Sequence, residues 1–211
     1  GPSASPAPAG PPGAEEVVRR ARAAYDSLRT LQASFVQVLE MRVFDPPRRK
    51  EGRGTWYQKK PSLLRMDFAE PEGDLIVSDG RHLWLHYPST HPGQVIRSDL
   101  RAPGRGAAIV DLQGRIFRQA RTTYRPRLEG REEVGGEMAH VVVLEPRSSG
   151  TPYREVWVWV DAQSHLVRRL RFHDRSETVR TITLDDLRPG VSLSDTLFRF
   201  EPPPDAEVFE G

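Results

Sequence analysis

The residues of this sequence best suited to proton or metal chemistry are its histidines: His82, His86, His91, His140, His165 and His173. They are scattered. His82 and His86 share one face of a predicted strand, but a metal site needs a third ligand and groups to orient it, and no third candidate stands at ligand spacing. No cysteine is present, which excludes disulfides, thiolate nucleophiles and cysteine zinc sites together. The serines lie in no G-x-S-x-G elbow, and no P-loop or dinucleotide fingerprint follows a strand. The paired carboxylates Glu132-Glu133 and Asp185-Asp186 fall in predicted strands, where adjacent side chains point to opposite faces, so neither pair is an acid/base dyad. The expectation is a protein with no catalytic residues, no metal and no cofactor.

The charge pattern excludes other classes. A formal net charge of +2 comes from interspersed acidic and basic residues. The densest basic cluster, Arg48-Arg49-Lys50, is too short to track a nucleic-acid backbone. No run of apolar residues is long enough to span a bilayer. The opening Gly1-Pro2 reads as the scar of a cut chain, so a signal peptide ahead of it is expected to have been removed.

The elements that must position any site follow from periodicity. Residues 1–13, all Gly, Pro, Ala and Ser, read as a disordered linker. Residues 14–211 read as one domain. Val17, Val18, Ala21, Tyr25 and Leu28 recur at helical spacing, predicting a helix over Ala14 to Leu31. The period then changes to two: Phe35, Gln37, Leu39 and Met41 alternate with Ser34, Val36, Val38 and Glu40. Further strands are expected at 53–58, 63–68, 74–78, 81–87, 94–97, 124–133, 138–145, 154–160, 166–172, 178–187 and 197–200. Asp79-Gly80 between two alternating runs marks a hairpin, and Gly52-x-Gly54 a bulge or a thin place in the sheet. Residues 106–119 read as one or two short helices. A large antiparallel sheet with so few helices needs one face covered. The expected fold is therefore an incomplete antiparallel β-barrel of about ten or eleven strands, lidded by short helices. Trp157 and Trp159 share one face of their strand, and Val156, Val158 and Val160 share the other. Periodicity does not say which face lines the interior.

The run Glu51-Gly52-Arg53-Gly54-Thr55-Trp56-Tyr57-Gln58-Lys59-Lys60-Pro61-Ser62-Leu63-Leu64-Arg65 resembles the LolA family of periplasmic outer-membrane lipoprotein carriers. So does Leu75-Ile76-Val77-Ser78-Asp79-Gly80-Arg81-His82-Leu83-Trp84-Leu85. Ala33-Ser34-Phe35-Val36-Gln37 and Phe198-Arg199-Phe200-Glu201-Pro202-Pro203 fit the same family, in order and spacing.

The resemblance implies a monomeric periplasmic carrier that holds the acyl chains of lipoproteins in an apolar cavity. It would take them from an inner-membrane ABC transporter complex and pass them to an outer-membrane acceptor lipoprotein. It implies roles too. A basic residue just before the Pro of the first run, usually Arg, ties the lid shut by bonding to backbone carbonyls; here it is Lys60. The family's aromatic position three residues after that Pro is Leu64, with Met66 and Phe68 continuing its face. Phe35, Leu39, Leu83, Leu85, Val156, Val158 and Val160 are the expected remainder of the cavity wall. Ile109, Leu112 and Ile116 are the expected underside of the lid. The loop Ala69-Glu70-Pro71-Glu72-Gly73 is short and acidic, unlike the exposed apolar loop of the acceptor protein. Two other readings fit the same fold: a divergent member carrying free lipid or glycolipid, and a half-barrel sensor or scaffold that binds a protein without lipid cargo.

Overall fold

A computed structural model of the chain describes residues 10–101, 116–117, 120–151 and 153–211. Most of the expected linker and most of the predicted 106–119 helical insertion, Ile109 and Leu112 included, lie outside the described residues.

The first element is helix α1, Ala14–Ser27. It ends earlier than its apolar spacing predicts. Leu28 is already extended, and Thr30 is drawn into sheet pairing opposite Lys59. Val17, Val18, Ala21 and Tyr25 form its buried stripe, with Glu15 and Glu16 in the first turn, where carboxylates oppose the helix dipole.

Among the described residues twelve strands follow: β1 Thr30–Met41, β2 Arg48–Lys59, β3 Leu63–Glu70, β4 Leu75–Asp79, β5 His82–His86, β6 Gln94–Asp99, β7 Tyr124–Val134, β8 Glu137–Pro146, β9 Tyr153–Asp161, β10 Val167–Asp174, β11 Thr178–Pro189 and β12 Glu207–Glu210. They form one sheet in the order β12-β6-β5-β4-β3-β2-β1-β11-β10-β9-β8-β7. The sheet does not close, so the architecture is the expected incomplete barrel.

Two expectations change. Residues 197–200 are not a strand: Asp195–Phe198 is a 3-10 turn, capped by Ser194, whose hydroxyl accepts from the Thr196 N–H. An unexpected β12 adds to the edge of β6, in parallel. That makes twelve strands rather than ten or eleven, and one pairing breaks the antiparallel rule. This terminal segment crosses the face opposite α1. Lys59 Nζ donates to the Leu193 carbonyl at 2.7 Å, and an Arg65 guanidinium nitrogen donates to the Leu197 carbonyl at 3.1 Å. Phe198 is buried, and the Phe200 ring packs 5.4 Å from Trp84 and 5.8 Å from His86.

The Asp79-Gly80 hairpin forms between β4 and β5. The Asp79 carboxylate accepts from the N–H groups of Arg81 and His82 and from Trp84 Nε1. Burial pushes this carboxyl up, but those donors together outweigh burial and hold it below the usual carboxylate range. Gly80 has φ +94, which a residue with a Cβ rarely adopts. Gly54 sits at a register shift between β2 and β3, where a Cβ would collide with the Asp67 carbonyl. That is the thin place its spacing predicts. Among the described residues no helix is long and apolar enough to cross a membrane.

Candidate functional site: the inner face of the sheet

Directly opposed residues of neighbouring strands share a face, so the register decides which side chains meet. Phe35 of β1 opposes Gly54 of β2 and Leu184 of β11; Gly54 opposes Phe68 of β3. Trp56 opposes Met66, which opposes Ile76, which opposes Leu85 of β5. Ser78 lies between Leu64 and Leu83 in the same way. On the other side Ile182 of β11 opposes Leu170, which opposes Val158, which opposes Val142 of β8. All the strand positions expected in the cavity wall therefore lie on one face.

That face is the one α1 covers, because Val17, Val18, Ala21 and Tyr25 pack in one cluster with Val142, Val156, Val158, Val160 and Phe172. Ile116, helical and buried, joins this cluster beside Phe117. The tryptophan ambiguity is thereby settled. Trp157 and Trp159 lie outside, stacked with centroids 5.9 Å apart, with the Arg171 guanidinium 5.0 Å from the Trp159 ring.

The expected wall divides into two packed groups. Val156, Val158 and Val160 belong to the group beneath α1. Phe35, Leu64, Met66, Phe68 and Leu83 belong to a second group with Trp56, Ile76, Ile182 and Leu184, and Leu85 packs against it. Leu64 and Met66 are 0% exposed, so side chains fill the space over the floor here. Polar groups in this floor are satisfied: Trp56 Nε1 donates to Gln58 Oε1 at 3.2 Å, and the Ser78 hydroxyl to the Ser62 carbonyl at 2.6 Å. Leu39 stands apart from both groups, half-buried at the far end of β1.

Lys60 is at the opposite end. Its Nζ donates to the Asp26 carbonyl at 2.8 Å and lies 4.6 Å from the centre of the Tyr25 ring. Both partners are in the last turn of α1. That turn contains no basic residue of its own, so Lys60 supplies from the β2–β3 connection the positive charge that a helix C-terminus favours. The side chain borders an open groove of about 1100 Å³, whose lining includes Leu28, Pro61, Leu166 and Leu193.

The Leu39 end is polar. Arg180 of β11 opposes Leu39 on one side and Phe172 on the other, and Lys50 of β2 opposes Leu39. Two cavities open there, of about 130 and 250 Å³, and both are lined by Leu39 and Arg180. Neither Arg180 nor Lys50, the latter noted only as part of a basic cluster, was expected on the inner face, although alternation held the signal. Arg180 shares the parity of Ile182 and Leu184, and Lys50 that of Trp56.

The histidines are not brought together. His82 and His86 lie on the outer face with Trp84, His82 against its ring and His86 against Phe200. Among the described residues no group of histidine and carboxylate side chains is placed to hold a metal.

Residues 26–201 match the family model described as outer membrane lipoprotein carrier protein LolA. Over 194 residues the chain is 30% identical to the outer-membrane lipoprotein carrier protein of Methylococcus capsulatus, covering 90% of this chain and 86% of that one. It is 28% identical to the protein of the same name from Alkalilimnicola ehrlichii, covering 94% and 86%. Among solved structures, an uncharacterized conserved protein from Thermus thermophilus superposes with a TM-score of 0.53 at 19% identity, covering 94% of this chain and 99% of that one. That likeness concerns the fold alone.

Proposed function

The chain belongs to the outer membrane lipoprotein carrier protein LolA family, and from that premise we propose that it carries lipoproteins across the periplasm with their acyl chains held on the inner face of its sheet. It receives them from an inner-membrane ABC transporter complex and gives them to an outer-membrane acceptor. It does so without catalysis. The observation that carries this reading is the continuous apolar inner face, which runs from β5 through β1 to β8 on an open sheet.

Size supports it. From Thr30 to Leu39 the β1 floor extends about 30 Å, which is about the hydrocarbon thickness of a whole bilayer. An acyl chain from one leaflet fits along it. Energetics supports it as well. Each methylene kept from water is worth about 0.8 kcal/mol, so a lipoprotein with several chains stays on its membrane unless a carrier offers equal burial. Here the floor is packed, so binding exchanges protein contacts for acyl contacts. The Lys60 bond to the Asp26 carbonyl is the latch on α1; its release uncovers the valine half of the floor, and the chains extend from there by repacking the neighbouring half. The expected cavity residues Leu64, Met66 and Phe68 then meet the chains.

The test is native mass spectrometry of the protein with a triacylated peptide and with the same peptide lacking acyl groups. A soluble one-to-one complex with the acylated peptide alone is expected. Failure to bind it, or equal binding of the bare peptide, overturns the reading.

A further inference from the structure

The polar end of the inner face has a composition that a purely apolar cargo does not explain. One row of opposed residues crosses four strands there: Lys50, Leu39, Arg180 and Phe172. Two cations thus share a largely apolar face; both line the cavity of about 130 Å³, and Arg180 also lines the one of about 250 Å³.

Neighbouring cations have partners. Arg49 and Arg53 pair with Glu51, and Arg42 pairs with Glu40. Among the described residues no carboxylate reaches ion-pair distance of Arg180 or Lys50. Arg180 donates a guanidinium hydrogen bond to Gln37 Oε1 at 2.8 Å and lines the smaller cavity with Tyr87, and Lys50 Nζ stands 5.6 Å from the centre of the Tyr87 ring. The carboxylates that line the cavities make no ion pair with either cation. Asp74 accepts from the N–H and hydroxyl of Ser89, and Asp174 accepts from Ser176 and Thr178. Glu51 lies one residue from Lys50 in the strand and is held by the arginines.

A half-buried cation with no counter-charge is costly unless something polar compensates it. A guanidinium also presents a planar fork that matches a carboxylate or phosphate. The cavities suit such a group in size. At about 30 Å³ per water, the smaller one holds about four waters: room for a head group, not for a whole lipid. Phe68, Leu39 and Phe172 lead from the cavities onto the floor.

We propose that Arg180 and Lys50 form a head-group site for an anionic amphiphile, with a phosphate or carboxylate held between them and the chain lying along the inner face. This rests on the acyl-carrier reading and adds a charge preference to it. An amphiphile with an uncharged head gains the floor but not the row.

Three twelve-carbon probes separate the possibilities below their micelle concentrations: dodecyl phosphate, laurate and dodecyl maltoside, titrated calorimetrically at neutral pH. The wild-type protein should bind one or both anionic probes about tenfold tighter than the maltoside, as charge-assisted hydrogen bonds are the stronger kind. A preference for dodecyl phosphate identifies a phospholipid-like head, and one for laurate a free fatty acid. Arg180→Gln should erase the preference and leave maltoside binding unchanged, whereas Arg180→Lys should keep part of it. Lys50→Gln, at a more open position, should weaken it with the melting temperature unchanged. Equal affinity of all three probes for the wild type, or a preference that survives both Gln variants, overturns the proposal. If no probe binds while the triacylated peptide does, the head-group site is wrong and the carrier reading stands. If neither binds, both fall.

Discussion

The two halves of the inner face are both buried, with different side chains. Beneath α1 half of the floor is valine, Val142, Val156, Val158, Val160 and Val167, beside Leu144, Leu170 and three aromatic rings. Across β1 to β5 it is Phe35, Trp56, Leu64, Met66, Phe68 and Leu83, with scarcely a β-branched residue. Valine is stiff about χ1 and packs in one way. Leucine, methionine and phenylalanine have further torsions, and methionine adapts to irregular space. The first half is built to anchor a helix. The second is built to repack, and in the proposed function it is where acyl chains lie.

A matched pair of truncations tests this difference most strongly. Leu64→Ala and Leu170→Ala remove the same atoms from buried sites in the two halves. Each should cost about 2–5 kcal/mol in urea unfolding, as large-to-small core changes do. Only Leu64→Ala should change affinity for an acylated peptide. An equal change from Leu170→Ala would abolish the distinction.

A smaller effect comes from the junction of the halves. Lys60→Leu removes the bond to the last turn of α1 and should destabilise by about 1 kcal/mol. Binding of an apolar dye should rise, and amide exchange should quicken in α1 but not in β3. Unchanged exchange in α1 would mean that Lys60 latches nothing.

The smallest effect is on pH. His140 lies on the inner face beneath α1, opposite Val160. Burial pushes its pKa down from 6.5, and Arg131 of β7, Arg20 of α1 and His165 push the same way. The unfolded chain therefore takes up this proton more readily than the folded one. Stability is unaffected well above pH 6.5 and falls as pH drops through that value. Protection factors of α1 amides, taken relative to the intrinsic exchange rate at each pH, should fall between pH 7 and 5 in the wild type, and less so in His140→Gln. His173 on the outer face also has its pKa lowered by burial, so the variant isolates the share that belongs to the helix.

Much of this was legible in advance where one period governed. The hairpin at Asp79-Gly80, the helix stripe from Val17 to Tyr25 and the long strands were all visible. What failed had identifiable causes. Phe198 and Phe200 alternate like strand residues, yet Ser194 caps a 3-10 turn there. β12 is four exposed residues after a run of prolines and carries no pattern of burial. The choice between valine and tryptophan faces needed the helix that covers one of them. The cationic row was hidden for another reason: Arg180 and Lys50 meet only through pairings with β1, and β11 lies far from β2 in the chain.

That same seam sets an order of assembly. On one side of it β1 to β6 are joined hairpin by hairpin, and on the other β7 to β11 are too. Each ladder can form as its residues leave the ribosome or the export channel. The join between β1 and β11 closes the longest loop in the sheet, the kind of contact that comes at the greatest cost in chain entropy. Until the last fifth of the polypeptide arrives, β1 waits with one flank bare, and a chain cut short there would offer that flank to any neighbour.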